Sequence, residues 1–340
     1  MKNSIVVKKR GKKEEIFSKI LKTLNTGSYN ILQISKKTNT NWETVKNAVQ
    51  TLEKINLVKK ENNKYFVDKV LDFNEHTLLG LPISKEQKNA TLSLAKRIIE
   101  IWNKKTSKPI KKTFLQKMLI KVIKQANIKN IPYGWYLFGE CAVLRLEPDS
   151  IASADRKYDK YILPIIKEYS KIPNTQELLK KHYVEEGNDL YLLRLKISNL
   201  LMNQFNTESI TSLKINLNNF LFSFKKTEDN EDILEYVLGF VSIVLQLIKQ
   251  LSINELEDIR SEINSTFIAI WEIAGTYNLY ESLIKFYDKQ ILKKYYTIRV
   301  DNLKLVAEEY LLALKDNIPV KKQKPSSLNK FKGIAVRKSQ

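Results

Sequence analysis

The stretch from Thr38 to Val67, "TNTNWETVKNAVQTLEKINLVKKENNKYFV", constrains the fold of this 340-residue chain more than any other. Thr40 and Glu43 have the Thr-x-x-Glu spacing of a capping box, in which each side chain satisfies a backbone N–H that a helix start leaves free. A helix is therefore expected to begin close to Asn41. Val45, Val49, Leu52 and Ile55 then follow at helical spacing as one apolar stripe, and Thr44, Lys46, Asn47, Gln50 and Lys54 fall on the opposite face. After Asn56, "LVKK" and "KYFV" flank Glu61, Asn62 and Asn63. Asparagine tolerates the positive φ of tight hairpins, so strand, turn, strand is the expectation.

Upstream, residues 1–13 are a basic arm. Ile16, Phe17, Ile20, Leu21 and Leu24 then repeat at helical spacing over residues 14–26, and Gly27 ends that helix. Asn30 can cap a short helix, "ILQISKKT", in which Ile31 and Ile34 point one way while Lys36 and Lys37 do not. Helix, short helix, tight turn, helix and two-stranded wing is the order of a winged helix-turn-helix. Residues 14–67, and "ISKKTNTNWETVKNAVQTLEKINLVKKENNKYFV" in particular, resemble the winged-helix domains of archaeal and bacterial transcription regulators. The resemblance implies that the third helix enters the major groove of double-stranded DNA, with Asn47 and Gln50 placed for bidentate contacts to adenine and Lys46 for guanine or phosphate. Trp42 and Thr44 would brace the DNA backbone, and Lys36, Lys37, Lys59, Lys60 and Lys64 would grip phosphates. The bland alternative is a winged helix that contacts only protein, with a solvated hairpin.

The charge map bears on that choice. The formal charge of +21 favours a polyanionic partner, but Lys, Asn and Ile are used heavily throughout, so distribution matters more than total. Residues 1–72 carry 16 bases against 7 acids and residues 85–129 carry 13 against 2, whereas residues 130–317 carry 22 against 27. The last 23 residues hold 7 bases and no acid. A uniform compositional bias does not produce this split, so the first 129 residues read as an electrostatic footprint on a polyanion.

Residues 71–83 read as a linker. Ser84 and Gln87 offer a second capping box for a lysine-rich helix to about Lys104, and Pro109 suits the start of a second one running to about Ala126. These helices either extend a DNA-binding surface or are simply solvated. The stretch "IPYGWYLFGECAVLRLEP", 131–148, is aromatic and nearly free of lysine, and reads as a loop followed by a buried strand or short helix. Tyr133, Trp135, Tyr136 and Phe138 there read as core rather than as a stacking platform. Helices are expected over 155–171, 174–186, 189–205, 208–225, 231–250, 253–274, 277–292 and 299–315, with a break at Gly275 and a basic disordered tail from 317.

Little points to catalysis. His76 and His182 stand outside any metal-ligand spacing, no glycine-rich phosphate loop or nucleophile elbow is present, and the adjacent pairs Glu185/Glu186 and Glu308/Glu309 diverge on their helices. The single cysteine, Cys141, excludes an intrachain disulfide framework and fits a reducing cytoplasm, where it is expected to be buried and inert. The charged N-terminus is no signal peptide, and the longest apolar run, "YVLGFVSIVLQLI", falls short of the roughly 18 residues of a membrane span. The expected architecture is mainly α: a basic arm (1–13), a winged helix (14–70), the linker, a basic helical connector with its aromatic segment (84–149), an all-helical domain for dimerisation or partner binding (150–316), and the tail. The expected function is sequence-specific DNA binding in transcriptional regulation, in the cytoplasm, without cofactor, metal, membrane or enzymatic activity. Two rivals are a helical scaffold whose winged helix binds protein or nucleic acid non-specifically, and a nucleic-acid-processing enzyme with its site in 131–148.

Overall fold

The computed structural model describes residues 16–17, 19–24, 26–54, 58–67, 74, 76–106, 108–146, 154, 156–224 and 230–319. The basic arm, Ile55, the side chain of Lys54 and the tail from residue 320 lie outside the described residues. The chain forms two compact units, each discontinuous in sequence. The first comprises residues up to Tyr136, Glu140–Pro173 and Thr276–Asn302; the second comprises Leu137–Gly139, Asn174–Gly275 and the residues from Leu303 on. No helix among the described residues is long and apolar enough to cross a membrane.

The first unit opens with helix α1 (residues 16–17 and 19–24), α2 (Ile31–Thr38) and α3 (Trp42–Lys54), followed by strands β1 (Lys59–Glu61) and β2 (Lys64–Phe66). Asn30 caps α2 reciprocally with Gln33. Asn39 then takes the left-handed conformation (φ 48°, ψ 44°), which an asparagine adopts at little cost, and so turns the chain sharply between α2 and α3. That turn corrects the capping expectation. The Thr40 hydroxyl donates to the Thr38 carbonyl at 3.1 Å, while Asn41 Oδ1 accepts the Glu43 N–H at 2.8 Å, so Asn41 rather than Thr40 caps α3. The Ser35 hydroxyl fastens the turn by donating to the Thr40 carbonyl at 2.7 Å.

Val45, Val49 and Leu52 are fully buried, as the stripe requires, and Ala48 completes their row. They meet Ile20, Leu24, Ile34, Val58 and Tyr65 in one core, where each large aliphatic contributes about 1.5–3 kcal/mol. Ile16, Phe17 and, from far along the chain, Ile298 pack against this core. The wing is a two-residue hairpin whose central Asn62 and Asn63 have φ of 49° and 59°, the twist that two-residue turns share with their strands. Tyr29 adds a third, one-residue strand: its N–H donates to the Tyr65 carbonyl at 3.0 Å and its carbonyl accepts the Tyr65 N–H at 2.8 Å.

Residues 76–78 run antiparallel to residues 143–145, with Leu78 N–H donating to the Val143 carbonyl and Arg145 N–H to the His76 carbonyl. The capping box of Ser84 and Gln87 starts α4 (Lys85–Lys105) as read. Helix α5 (Lys112–Gln125) begins three residues beyond Pro109, at an N-cap on Lys111. The aromatic segment is a hairpin of β3 (Tyr133–Tyr136) and β4 (Gly139–Ala142), not a loop leading into one strand or helix. Gly134 lies so close to α12, described below, that a Cβ would stand 2.6 Å from Ser282 Cβ. Helix α6 (Asp159–Tyr169) packs on both α4 and α5.

The second unit holds α7 (Thr175–Glu185), α8 (Asp189–Met202), α9 (Thr207–Phe222), α10 (Glu231–Gln250) and α11 (Ile253–Asp258). Helices α12 (Arg260–Leu283) and α13 (Lys289–Lys315) each supply residues to both units. Several boundaries differ from expectation: Ile259 splits the helix expected over 253–274 into α11 and α12, and two other differences have a visible cause. Gly275 does not break α12; a side chain there would lie 3.1 Å from Leu137 Cδ2, so the glycine serves close approach rather than termination. Asp288 Oδ1 accepts the N–H groups of Gln290 and Ile291 at 3.0 Å each, starting α13 at Lys289, ten residues before the start expected at residue 299.

Candidate nucleic-acid interface

The turn at Asn39 and the buried stripe of α3 together decide which side chains of that helix meet solvent. Thr44, Asn47 and Gln50 are exposed and Lys46 is half-buried, one face of α3 turned away from the core. Asn47 and Gln50, one turn apart, both carry the amide that can pair with an adenine edge in two hydrogen bonds. Trp42 is 46% exposed at the start of the same helix, and Lys46 Nζ lies 5.2 Å from its ring centre. A cation over an indole is held there by only about 0.5–1 kcal/mol at an exposed site, less than a charged hydrogen bond to an anion provides. The described structure therefore brings Trp42, Thr44, Lys46, Asn47 and Gln50 together on one helix, as read.

The phosphate-gripping set is more dispersed. Lys36 and Lys37 occupy the last turn of α2, a position that also suits a helix C-terminus electrostatically. Lys37 Nζ sits 4.7 Å above the Tyr29 ring, and the Tyr29 phenol titrates below its ordinary range because of a hydrogen bond with the Thr26 hydroxyl, aided by the Lys37 charge. On the wing, the register pairs Lys59 with Phe66, Lys60 with Tyr65 and Glu61 with Lys64. Side chains alternate along a strand, so Lys59 and Lys64 share a face with Glu61 while Lys60 lies on the other. There Lys60 Nζ stands 5.7 Å from the centre of the buried Tyr65 ring. The wing thus offers cations on both faces rather than a single row.

Tyr29 was absent from the sequence reading of this site. Its dual role, as third strand of the wing and as platform for Lys37, has one sequence signal: an aromatic residue directly before the cap of a short basic helix.

The connector helices behave differently. Lys117 is almost wholly enclosed, 2% exposed, and donates to the Glu140 carbonyl at 2.6 Å. Lys124 pairs with the buried Glu140 carboxylate at 2.6 Å, and Lys121 with Glu168 at 3.1 Å. Arg97 joins Asp159 through two hydrogen bonds and Glu100 through a third at 3.0 Å. Four of the bases that gave residues 85–129 their charge are thus spent within the first unit. Of the aromatic segment, Tyr133, Trp135 and Tyr136 are half-buried and Phe138 is 52% exposed, so none of the four is fully buried core and Phe138 departs furthest from that expectation. Cys141 is half-buried rather than fully buried, and its desolvation pushes the thiol up to about 11, away from thiolate reactivity.

Comparison with curated proteins and with solved structures gives no match. Residues 9–69 do match a family model described as winged helix-turn-helix. With three helices, a left-handed turn before the third and a two-stranded wing, this N-terminal segment is a winged helix-turn-helix domain, a fold that suggests DNA binding.

Proposed function

We propose that the protein is a sequence-specific double-stranded DNA-binding protein, a non-enzymatic transcription regulator of the cytoplasm. The exposed face of α3 carries this reading: Asn47 and Gln50 read bases, Lys46 adds a guanine or phosphate contact, and Trp42 and Thr44 brace the sugar-phosphate backbone. Lys36 and Lys37 on one side and Lys59, Lys60 and Lys64 on the other grip flanking phosphates. The helical remainder serves dimerisation or partner binding, in keeping with the two-fold symmetric sites that many such domains read. No cofactor enters this reading.

The test is selection from a random duplex pool with the purified full-length protein, followed by titration of the winning sequence across a salt series. An enriched motif and a steep fall of affinity with salt are expected. A pool that returns unenriched, with affinity indifferent to sequence, would overturn base reading and leave a scaffold with non-specific nucleic-acid contact.

A further inference from the structure

The second unit contains a cation whose surroundings differ from those of the other well-placed guanidinium groups. Arg97 has two carboxylates, and Arg260 has Glu257 Oε1 at 2.8 Å and the Leu201 carbonyl at 2.9 Å. Arg194, on α8, is 9% exposed, and among the described residues no carboxylate pairs with it and no acceptor takes its hydrogen bonds; its Nε is enclosed without a partner. What surrounds it is aromatic. The guanidinium carbon lies 4.8 Å from the Phe138 ring centre and 5.9 Å from that of Trp271. Tyr191 packs edge-on against Trp271 at 4.9 Å, with Tyr183 beyond it at 5.5 Å from Tyr191.

This cage is built rather than incidental. The Trp271 indole N–H donates to the Leu137 carbonyl at 2.9 Å, and Gly275 lets the Leu137 backbone approach α12, so the segment Leu137–Gly139 is fixed in the second unit with Phe138 over Arg194. Phe138 itself is 52% exposed, which places a half-open aromatic lid beside an enclosed charge. Burial without a counter-ion disfavours a charged guanidinium, and ring faces compensate it only in part. Phe138 and Trp271 lie beside it and offer ring faces, not acceptors. Its N–H groups, whose fork matches two oxygens of one oxyanion, have no acceptor among the described residues.

We propose that Arg194 anchors a ligand site in the second unit, taking the carboxylate or phosphate group of a small molecule on its N–H edge beneath Phe138. The site is independent of base reading by α3, and its test uses no DNA. Full-length protein is melted at constant ionic strength in chloride, in inorganic phosphate and in succinate, and the Trp271 indole N–H resonance is followed through the same titrations. Phosphate or succinate, whichever chemistry the site prefers, is expected to raise the melting temperature by a few degrees over chloride and to shift the Trp271 signal saturably. Arg194→Met fills similar volume without charge, so it should melt higher than wild type in chloride and lose the anion response; Arg194→Lys should bind on the order of tenfold more weakly for want of the planar fork. Equal anion responses in wild type and Arg194→Met, or a Trp271 signal unmoved by both anions in the wild type, overturn the proposal. The wild-type resonance decides the matter even if neither variant folds.

Discussion

Two stretches of the first unit carry comparable positive charge and use it in opposite ways. In the winged helix, Lys37, Lys46 and Lys60 rest over aromatic rings, and among the described residues no carboxylate pairs with them or with Lys36 and Lys64. In α4 and α5, Arg97, Lys117, Lys121 and Lys124 reach inward to Asp159, Glu140 and Glu168. A lysine count cannot separate these cases, because, Glu100 beside Arg97 apart, the acids that take up the connector's charge lie 16 to 62 residues away in sequence. Availability of charge, rather than its quantity, distinguishes a surface that can exchange counter-ions with a polyanion from one that holds helices together.

The comparison can be broken most directly at Glu140. Its carboxylate is 6% exposed, pairs with Lys124, and its carbonyl accepts from buried Lys117. Glu140→Ala removes the buried carboxylate that pairs with Lys124, itself 31% exposed, and should destabilise the protein by about 1.5–3 kcal/mol, read as a lower denaturant midpoint. A change below about 0.5 kcal/mol would mean that the connector charges are not structural.

On the winged helix the expectation is reversed. Asn47→Ala or Gln50→Ala should leave the denaturant midpoint within about 0.5 kcal/mol of wild type while costing about 1–3 kcal/mol on the best DNA site and relaxing base preference there. If both leave the selected motif and its affinity unchanged, base reading by α3 is wrong.

The Arg97–Asp159 pair sharpens the contrast through pH. The two hydrogen bonds from Arg97 hold the Asp159 carboxyl below its ordinary range. A depressed folded-state value stabilises the protein fully above the unfolded value of about 3.9 and loses that contribution as pH falls through the folded value. Arg97→Gln should therefore lower stability by about 1.5–3 kcal/mol at pH 7, and the gap to wild type should close in acid. A gap that stays constant from neutrality to strong acid would remove the pair from the stabilising set.

The smallest effects concern phosphate contacts. Lys60→Ala and Lys64→Ala should each weaken all DNA sequences alike and reduce the salt slope by about 1, whereas Lys121→Ala, its charge engaged by Glu168, should leave that slope unaltered. Equal slopes for all three would erase the distinction between the wing and the connector helices.

Much of the N-terminal fold was legible because it is local. Caps on Asn30 and Ser84, the Val45–Leu52 stripe and the Asn62–Asn63 turn each depend on residues within a few positions of one another. Expectation failed where a distant partner, or a backbone conformation that spacing does not encode, decided the outcome. Gly275 reads as a helix breaker until Leu137 is seen against it, and Thr40 reads as a cap until Asn39 has turned the chain. The α3 face of the candidate site was readable by the same local logic. Tyr29 was not, since its role depends on pairing with Tyr65, and neither was the two-faced wing, which follows from strand register.

Ile298, on α13, packs against the winged-helix core although more than 200 residues separate it from that domain in sequence. The stretch matched by the family model is consequently narrower than the body it belongs to. A fragment cut at residue 69 would bare to water the apolar patch that Ile298 covers, so weak or absent DNA binding by such a fragment would report a damaged module rather than a missing activity. Recognition surface and folding unit have different borders in this chain.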